Sequence, residues 1–204
     1  MNWYHRRLCR STDWAGFVEE VIVPATLGEH ELGEDALEIG PGYGATTGPL
    51  ATRAGRLTAL EIDPALAERL DERYAADDSV EVVRGDGAAM PFDGGRFTAA
   101  FCATMLHHVP SRALQDRLFA ETHRVLRPGA WFIGTDSLPS WRFRLIHLGD
   151  TMVTLDPATL PDRLRAAGFA DVKVKVDNGA LRFMARKPAV GNGSRNTRAS
   201  GQGE

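Results

Sequence analysis

Residues 36–50 read "ALEIGPGYGATTGPL", and the architecture of the chain turns on them. "DALEI" (35–39) is a short apolar run that opens on Asp35 and has a second acid, Glu38, set into it, and glycines follow at 40, 42 and 44. A run of that length bounded by glycine reads as a buried strand. Glycine at alternate positions lets the loop take positive φ and brings backbone N–H groups close to a ligand. "ATTGPLATRA" (45–54) reads as a helix tightened near Gly48-Pro49, and a helix N-terminus adds a positive dipole end. Strand, bare loop and helix together open an α/β sheet, whose ligands bind beyond the carboxyl ends of the strands.

Further strand–helix units follow in both patterning and order. "RLTALEI" (56–62) reads as the second strand. "DPALAERLDERYA" comes next, with Asp63 placed to cap a helix, Pro64 at its first position, and Leu66, Leu70 and Tyr74 at helical spacing. "VEVVRGD" and "FTAAFCAT" are the third and fourth strands. "SRALQDRLFAETHRVL" is a helix with Ser111 as its cap, and "RPGAWFIGTD" turns at Pro128-Gly129 into a fifth strand. "PDRLRAAGF" is a helix stopped by Gly168. Two alternating runs, 172–176 and 181–185, then flank "DNG", a strong hairpin signal. Parallel units ending in an antiparallel hairpin predict a three-layer α/β fold with a mixed sheet.

Composition narrows the classes. With 204 residues, 43% hydrophobic and 25% charged, the chain is sized and balanced for one globular domain, expected over 1–187 with a helical cap at 1–34. The glycine- and serine-rich stretch 188–204 has little to bury and is expected to be disordered. A formal net charge of −3 supplies no basic field for nucleic acid or an anionic membrane. Cys9 and Cys102 stand far apart in no metal-ligand spacing, and read as free thiols of a cytoplasmic protein. No stretch has the length or apolarity of a signal core or a membrane span. A monomer or homodimer is expected.

Two ligands fit the glycine loop. Gly40, Gly42 and Ala45 satisfy the loose dinucleotide pattern, with Glu61 at the distance expected for ribose hydroxyls. That pattern admits a nicotinamide-dependent oxidoreductase. Three features favour a sulfonium nucleoside with an amino-acid tail. Glu38 would repel a pyrophosphate but attract an ammonium or sulfonium. The loop is tighter than the dinucleotide fingerprint, E-x-G-x-G-x-G. Asp86, in "RGDGAAMPF" at the third strand's end, is placed to accept a hydrogen bond from an adenine amino group.

On these residues the chain resembles the class I S-adenosylmethionine-dependent methyltransferases, and among them the small-molecule group similar to the quinone-biosynthesis (UbiE-like) enzymes. The resemblance is carried in order by "LEIGPGYG", "LTALEIDPALAERL", "VRGDGAAMPFDGGRFTAAFCATMLHHV", "RVLRPGAWFIGTD" and "LRAAGFADVKV". It implies a seven-stranded sheet of order 3-2-1-4-5-7-6 with the last strand antiparallel, and S-adenosyl-L-methionine as methyl donor. It also implies that Glu38, Gly40, Gly42 and Gly44 cradle the methionine portion and Glu61, with Ile62 beside it, the ribose. Asp86, Gly87 and Ala88 would then meet the adenine, and the Cys102 backbone carbonyl the ammonium. Thr98 stands where the family commonly carries Asp, at a position that is usually structural.

Methyl transfer from a sulfonium is an in-line displacement that needs alignment more than a conspicuous catalytic group. No metal is required, and no ligand spacing points to one. His107 and His108 in "MLHHV" follow the fourth strand near the expected acceptor; His107 is the candidate base by resemblance, with pocket lining as the competing reading. Asp136 ends the fifth strand and carries the same two readings. "LPSWRFRLIHLGDTMV" reads either as a lid over the acceptor, using Trp141, Phe143 and Ile146, or as a helix packed at the sheet edge. Arg6, Arg7 and Arg10 read as a solvated face or a greeting for an acidic acceptor. A small organic acceptor is expected; a donor-binding protein without catalysis is the alternative.

Overall fold

The structure, a computed structural model, describes residues 2–189; the expected disordered tail lies, from residue 190 onward, outside the described residues. Seven strands form one sheet: β1 (Ala36–Ile39), β2 (Leu57–Glu61), β3 (Val80–Arg84), β4 (Phe97–Ala103), β5 (Leu126–Ser137), β6 (Ala170–Asp177) and β7 (Ala180–Arg186). Their order is β3-β2-β1-β4-β5-β7-β6, as the resemblance implied. Neighbours from β3 to β5 pair in parallel, while β7 runs antiparallel to both β5 and β6. The β6–β7 turn is the "NG" pair, with Asn178 and Gly179 at φ 49° and 76°, the geometry a two-residue hairpin requires.

Alternation along the strands splits the core into two. On one face Leu37, Ile39, Leu60, Phe132 and Phe183 pack with Leu118 and Phe119 of α6 (Arg112–Val125) and Leu164 of α8 (Leu160–Ala166). On the other, Ala36, Leu57, Phe101 and Ile133 pack with Val18, Val23 and Leu27. Those last residues belong to a continuous helical stretch, α2 (Thr12–Phe17), a π-helical turn (Val18–Ile22) and α3 (Val23–Leu27), which follows α1 (Trp3–Cys9). Cys102 is fully buried in the first core, and both cysteines are free.

α5 (Pro64–Tyr74) is capped as its sequence predicts, the Asp63 carboxylate accepting from the Ala65 and Leu66 N–H groups. Two expectations need correction. The segment after the glycine loop is helical only over α4 (Thr47–Ala51), because Gly44 at φ 76° keeps the loop open through Thr46. One turn of helix carries little dipole, so the site depends on backbone N–H groups and carboxylates. Secondly, Pro128-Gly129 is a bulge inside β5 rather than a turn before it. Register jumps from Phe97↔Leu126 to Ala99↔Trp131, and Gly129 at φ 85° turns its N–H to the Lys187 carbonyl.

Thr98 has the structural role expected of its position. Its hydroxyl accepts from the Asp35 N–H at 3.1 Å and has the carbonyls of Leu32 and Asp35 at 2.7 and 2.8 Å, tying the approach to β1 onto β4. Thr98→Val is expected to cost about 1–3 kcal/mol, read from denaturant melts, with donor affinity unchanged. A melt identical to wild type would show that water replaces the hydroxyl freely.

Candidate active site

A cavity of about 710 Å³ opens where β1, β2 and β4 end, between the loops that follow them. This is the switch point of the sheet, where order reverses about β1. Its walls include two groups: Gly40–Tyr43 with Glu61–Asp63, and His5, His107, His108, Phe143, Ile146 and His147.

Gly42 sits at φ 59°, and a Cβ there would meet no atom within 4 Å, so a ligand could lie directly on that backbone. Gly44 is glycine for packing: a Cβ would stand 2.5 Å from Leu70 Cδ2. Glu61, 4% exposed at the end of β2, locks the loop. Its Oε2 accepts from the Gly42 N–H and its Oε1 from the Asp63 N–H, each at 2.9 Å. Each oxygen keeps a second lone pair, sufficient for a pair of ribose hydroxyls. Ile62, 63% exposed, lines the same wall as an uncovered apolar platform.

Glu38 stands one layer behind. It is buried, its Oε1 accepts from the Thr46 hydroxyl, and its Oε2 has no partner. Burial pushes its pKa from 4.5 up to about 7, the hydrogen bond to Thr46 opposing and the nearby Glu61 charge adding. A buried carboxylate with one oxygen unpartnered, behind a glycine loop, fits a ligand that brings a cationic amine. In the free protein the folded state holds this proton to higher pH than the unfolded chain. Stability from this group therefore falls as pH rises from about 4.5 to about 7. An ammonium arriving beside it lowers the pKa again. Donor binding at about pH 6.5 is expected to release part of a proton, read by calorimetry in buffers of different ionisation enthalpy. Glu38→Gln should abolish the release; release undiminished in that variant would contradict the role.

The other residues expected to meet the donor lie outside the cavity wall. Asp86 is exposed and accepts from the Ala88 N–H at 2.8 Å, closing an Asx turn. Gly87 is a packing glycine, since a Cβ would approach Leu118 Cδ1 to 2.9 Å. Cys102 points its thiol into the core, 2.8 Å from where a Cβ on Gly134 would be, and burial raises its pKa far above the usual range. The wall at the end of β4 is made instead by Ala103, Thr104 and Met105.

The histidine-lined part of the cavity is richer than the sequence shows. His107, on a 3-10 turn (Leu106–His108), is 2% exposed. Asp136 at the end of β5 holds it twice: Oδ2 accepts the His107 backbone N–H at 2.9 Å and Oδ1 faces Nδ1 at 2.5 Å. That leaves Nε2 of His107 turned away from the carboxylate, 3.1 Å from Nε2 of His147. His147 caps α7 (Trp141–Ile146), and His5 comes from α1. The N-terminal helix is fastened over the site: the Asn2 amide donates to the Ile146 and Leu148 carbonyls, and His5 Nδ1 lies 3.2 Å from Asp150. The segment read as either a lid or a packed helix therefore contacts α1 at this cavity. Phe143 and Ile146 face the cavity, whereas Trp141 is 72% exposed. Arg6 and Arg10 also line it; Arg7 is exposed elsewhere.

Four of the six histidines in the sequence therefore meet here, with ring centroids 4.1–5.3 Å apart. Burial and the neighbouring imidazoles lower the pKa of His5 and His147, and push that of His108 down to about 3. His5, His108 and His147 each offer a ligand atom within 4.8 Å of the others, which corrects the expectation that nothing in the chain resembles a metal-ligand set. Among the described residues no helix is long and apolar enough to cross a membrane.

Residues 37–134 match the family described as "Methyltransferase domain". A ribosomal RNA small subunit methyltransferase A from Moorella thermoacetica is 38% identical over 97 residues, 48% of this chain and 32% of the relative. The chain thus spans about a third of the length of that curated relative. A solved chain of the Haloferax volcanii complex between the Trm112 methyltransferase activator and a methyltransferase superposes with TM-score 0.71 at 16% identity, over 92% of this chain and 99% of that one. A DhpI–SAH complex superposes with TM-score 0.70 at 22% identity, over 91% and 94%. Both share the fold.

Proposed function

We propose that this chain, whose residues 37–134 carry a methyltransferase domain, is a class I S-adenosyl-L-methionine-dependent methyltransferase acting on a small organic acceptor. The observation that carries this reading is a single cavity lined both by the Gly42–Glu61 lock and by His107, which Asp136 holds from behind. The donor supplies a methyl group already activated on a sulfonium. Glu61 takes the ribose hydroxyls on its free lone pairs, and Glu38 with the glycine loop takes the amino-acid portion. Asp86, Gly87 and Ala88 lie toward the adenine edge.

His107 orients the acceptor and takes its proton at Nε2, with Asp136 fixing the ring. Holding donor and acceptor in line accounts for on the order of 7–11 kcal/mol of such a barrier. A small acceptor is supported by the cavity's size, within the roughly 300–1,000 Å³ typical of small-molecule sites, and by the roof of α1 and α7. The net charge of −3 also argues against a polyanion. The relative named for ribosomal RNA is matched over only 32% of its own length.

Incubating the protein with methyl-labelled donor and a metabolite extract, alongside ribosomal RNA, tests the reading. Label is expected in a low-molecular-weight product. Label in RNA instead would overturn the small acceptor. Firm donor binding with no label anywhere would mark a non-catalytic binder, and NAD(P) binding without donor binding would restore the oxidoreductase reading.

A further inference from the structure

Two hydrogen bonds fix tautomers in the histidine-lined part of the cavity. His147 Nδ1 faces the Phe143 carbonyl at 2.8 Å, which can only accept, so Nδ1 carries the hydrogen. His107 Nδ1 faces the Asp136 carboxylate and carries its hydrogen likewise. Both rings then present bare Nε2 lone pairs, and these lie 3.1 Å apart. Such a contact calls for a positive charge there, either a proton on one ring or a metal ion that takes one of the lone pairs.

The surroundings specify which kind. His5, His108 and His147 come from three separate segments, and their ligand atoms lie within 4.8 Å of one another. Imidazole at Zn–N distances of 2.0–2.1 Å puts ligand nitrogens about 3.3 Å apart in a tetrahedron. The cluster closes to that spacing with ring movements of roughly 1.5 Å or less. Asp150 on His5 Nδ1 and the Phe143 carbonyl on His147 Nδ1 are the outer partners that orient metal-bound histidines. We propose that His5, His108 and His147 bind one divalent transition-metal cation of the zinc class, with a fourth position facing the cavity beside His107. Drawing His147 Nε2 onto the metal frees His107 Nε2 for the acceptor, and the metal ties α1 to α7 as a closed roof.

The test uses the untagged full chain, freed of metal by chelation, titrated with Zn²⁺ in a calorimeter and with Co²⁺ in a spectrophotometer. No methyl donor is present, so the result is independent of the methyltransferase reading. One equivalent per chain is expected, with the visible absorption of four-coordinate Co²⁺. His5→Ala and His147→Gln should each weaken Zn²⁺ binding by about 100-fold or more, and Asp150→Asn by about 10-fold. His30→Ala, remote from the cluster, should leave it unchanged. Zn²⁺ should raise the melting temperature of wild type and of His30→Ala but not of the cluster variants. Wild type binding no tighter than folded His147→Gln would overturn the site, and so would equal loss in His30→Ala.

Discussion

Replacing Glu61 with Ala is expected to weaken S-adenosylmethionine binding by roughly 10²–10⁴-fold, since two hydrogen bonds to a charged acceptor are worth about 1.5–3 kcal/mol each. The same carboxylate accepts from the Gly42 and Asp63 N–H groups. Sequence alone reads Glu61 as a ligand group that can be removed from an intact fold. The structure makes it a strut of the loop as well. A fall in melting temperature should therefore accompany the loss of affinity, because two backbone donors at the edge of the site lose their partner. Calorimetry well below the melting point separates the effects. Affinity within about threefold of wild type, with only the melt displaced, would leave Glu61 as a strut and nothing more.

Replacing His107 with Ala is expected to lower kcat by roughly 10²–10⁴-fold while donor affinity stays within about twofold, the range general-base groups span. Its ring lines the cavity but takes no part in the Gly42–Glu61 lock. It is gripped by Asp136 through both backbone and ring, so removal also frees the Asp136 carboxylate in a buried site. His107→Gln, which keeps a polar group near the ring position, controls for packing. A donor affinity falling in parallel with kcat would show a structural role, and full turnover would reduce the residue to pocket lining.

What could be read from the sequence follows from physical range. β1 to β3 are short runs closed by glycines or acids, so local patterning marks them, and Asp63, Ser111 and Asn178-Gly179 announce their elements by adjacent chemistry. Glu38 and Glu61 were legible because the glycines that give them a purpose lie close by in sequence or at a characteristic spacing. The five-residue α4 and the Pro128-Gly129 bulge were not, because they depend on packing of Gly44 against Leu70 and on pairing with Lys187. Asp86 satisfies both a motif and a turn, and its geometry displays the turn.

The histidine cluster illustrates the limit most clearly. His107 and His108 drew notice beside β4, but His5 lies 145 residues from its partner Asp150. "NWYHRR" and "RLIHLGD" carry no spacing that relates them. Their meeting is a product of α1 folding back over α7, held by Asn2. The one signal in the sequence is composition: six histidines, two of them adjacent at a strand end.

The most direct measurement is a crystal structure of the chain with S-adenosylhomocysteine. The ribose hydroxyls should lie within hydrogen-bonding distance of the Glu61 carboxylate, with the amino-acid portion on the Gly40–Gly42 backbone and the sulfur turned toward His107. A ligand bound away from this cavity, or one that leaves Glu61 touching only the Gly42 and Asp63 N–H groups, would contradict the account.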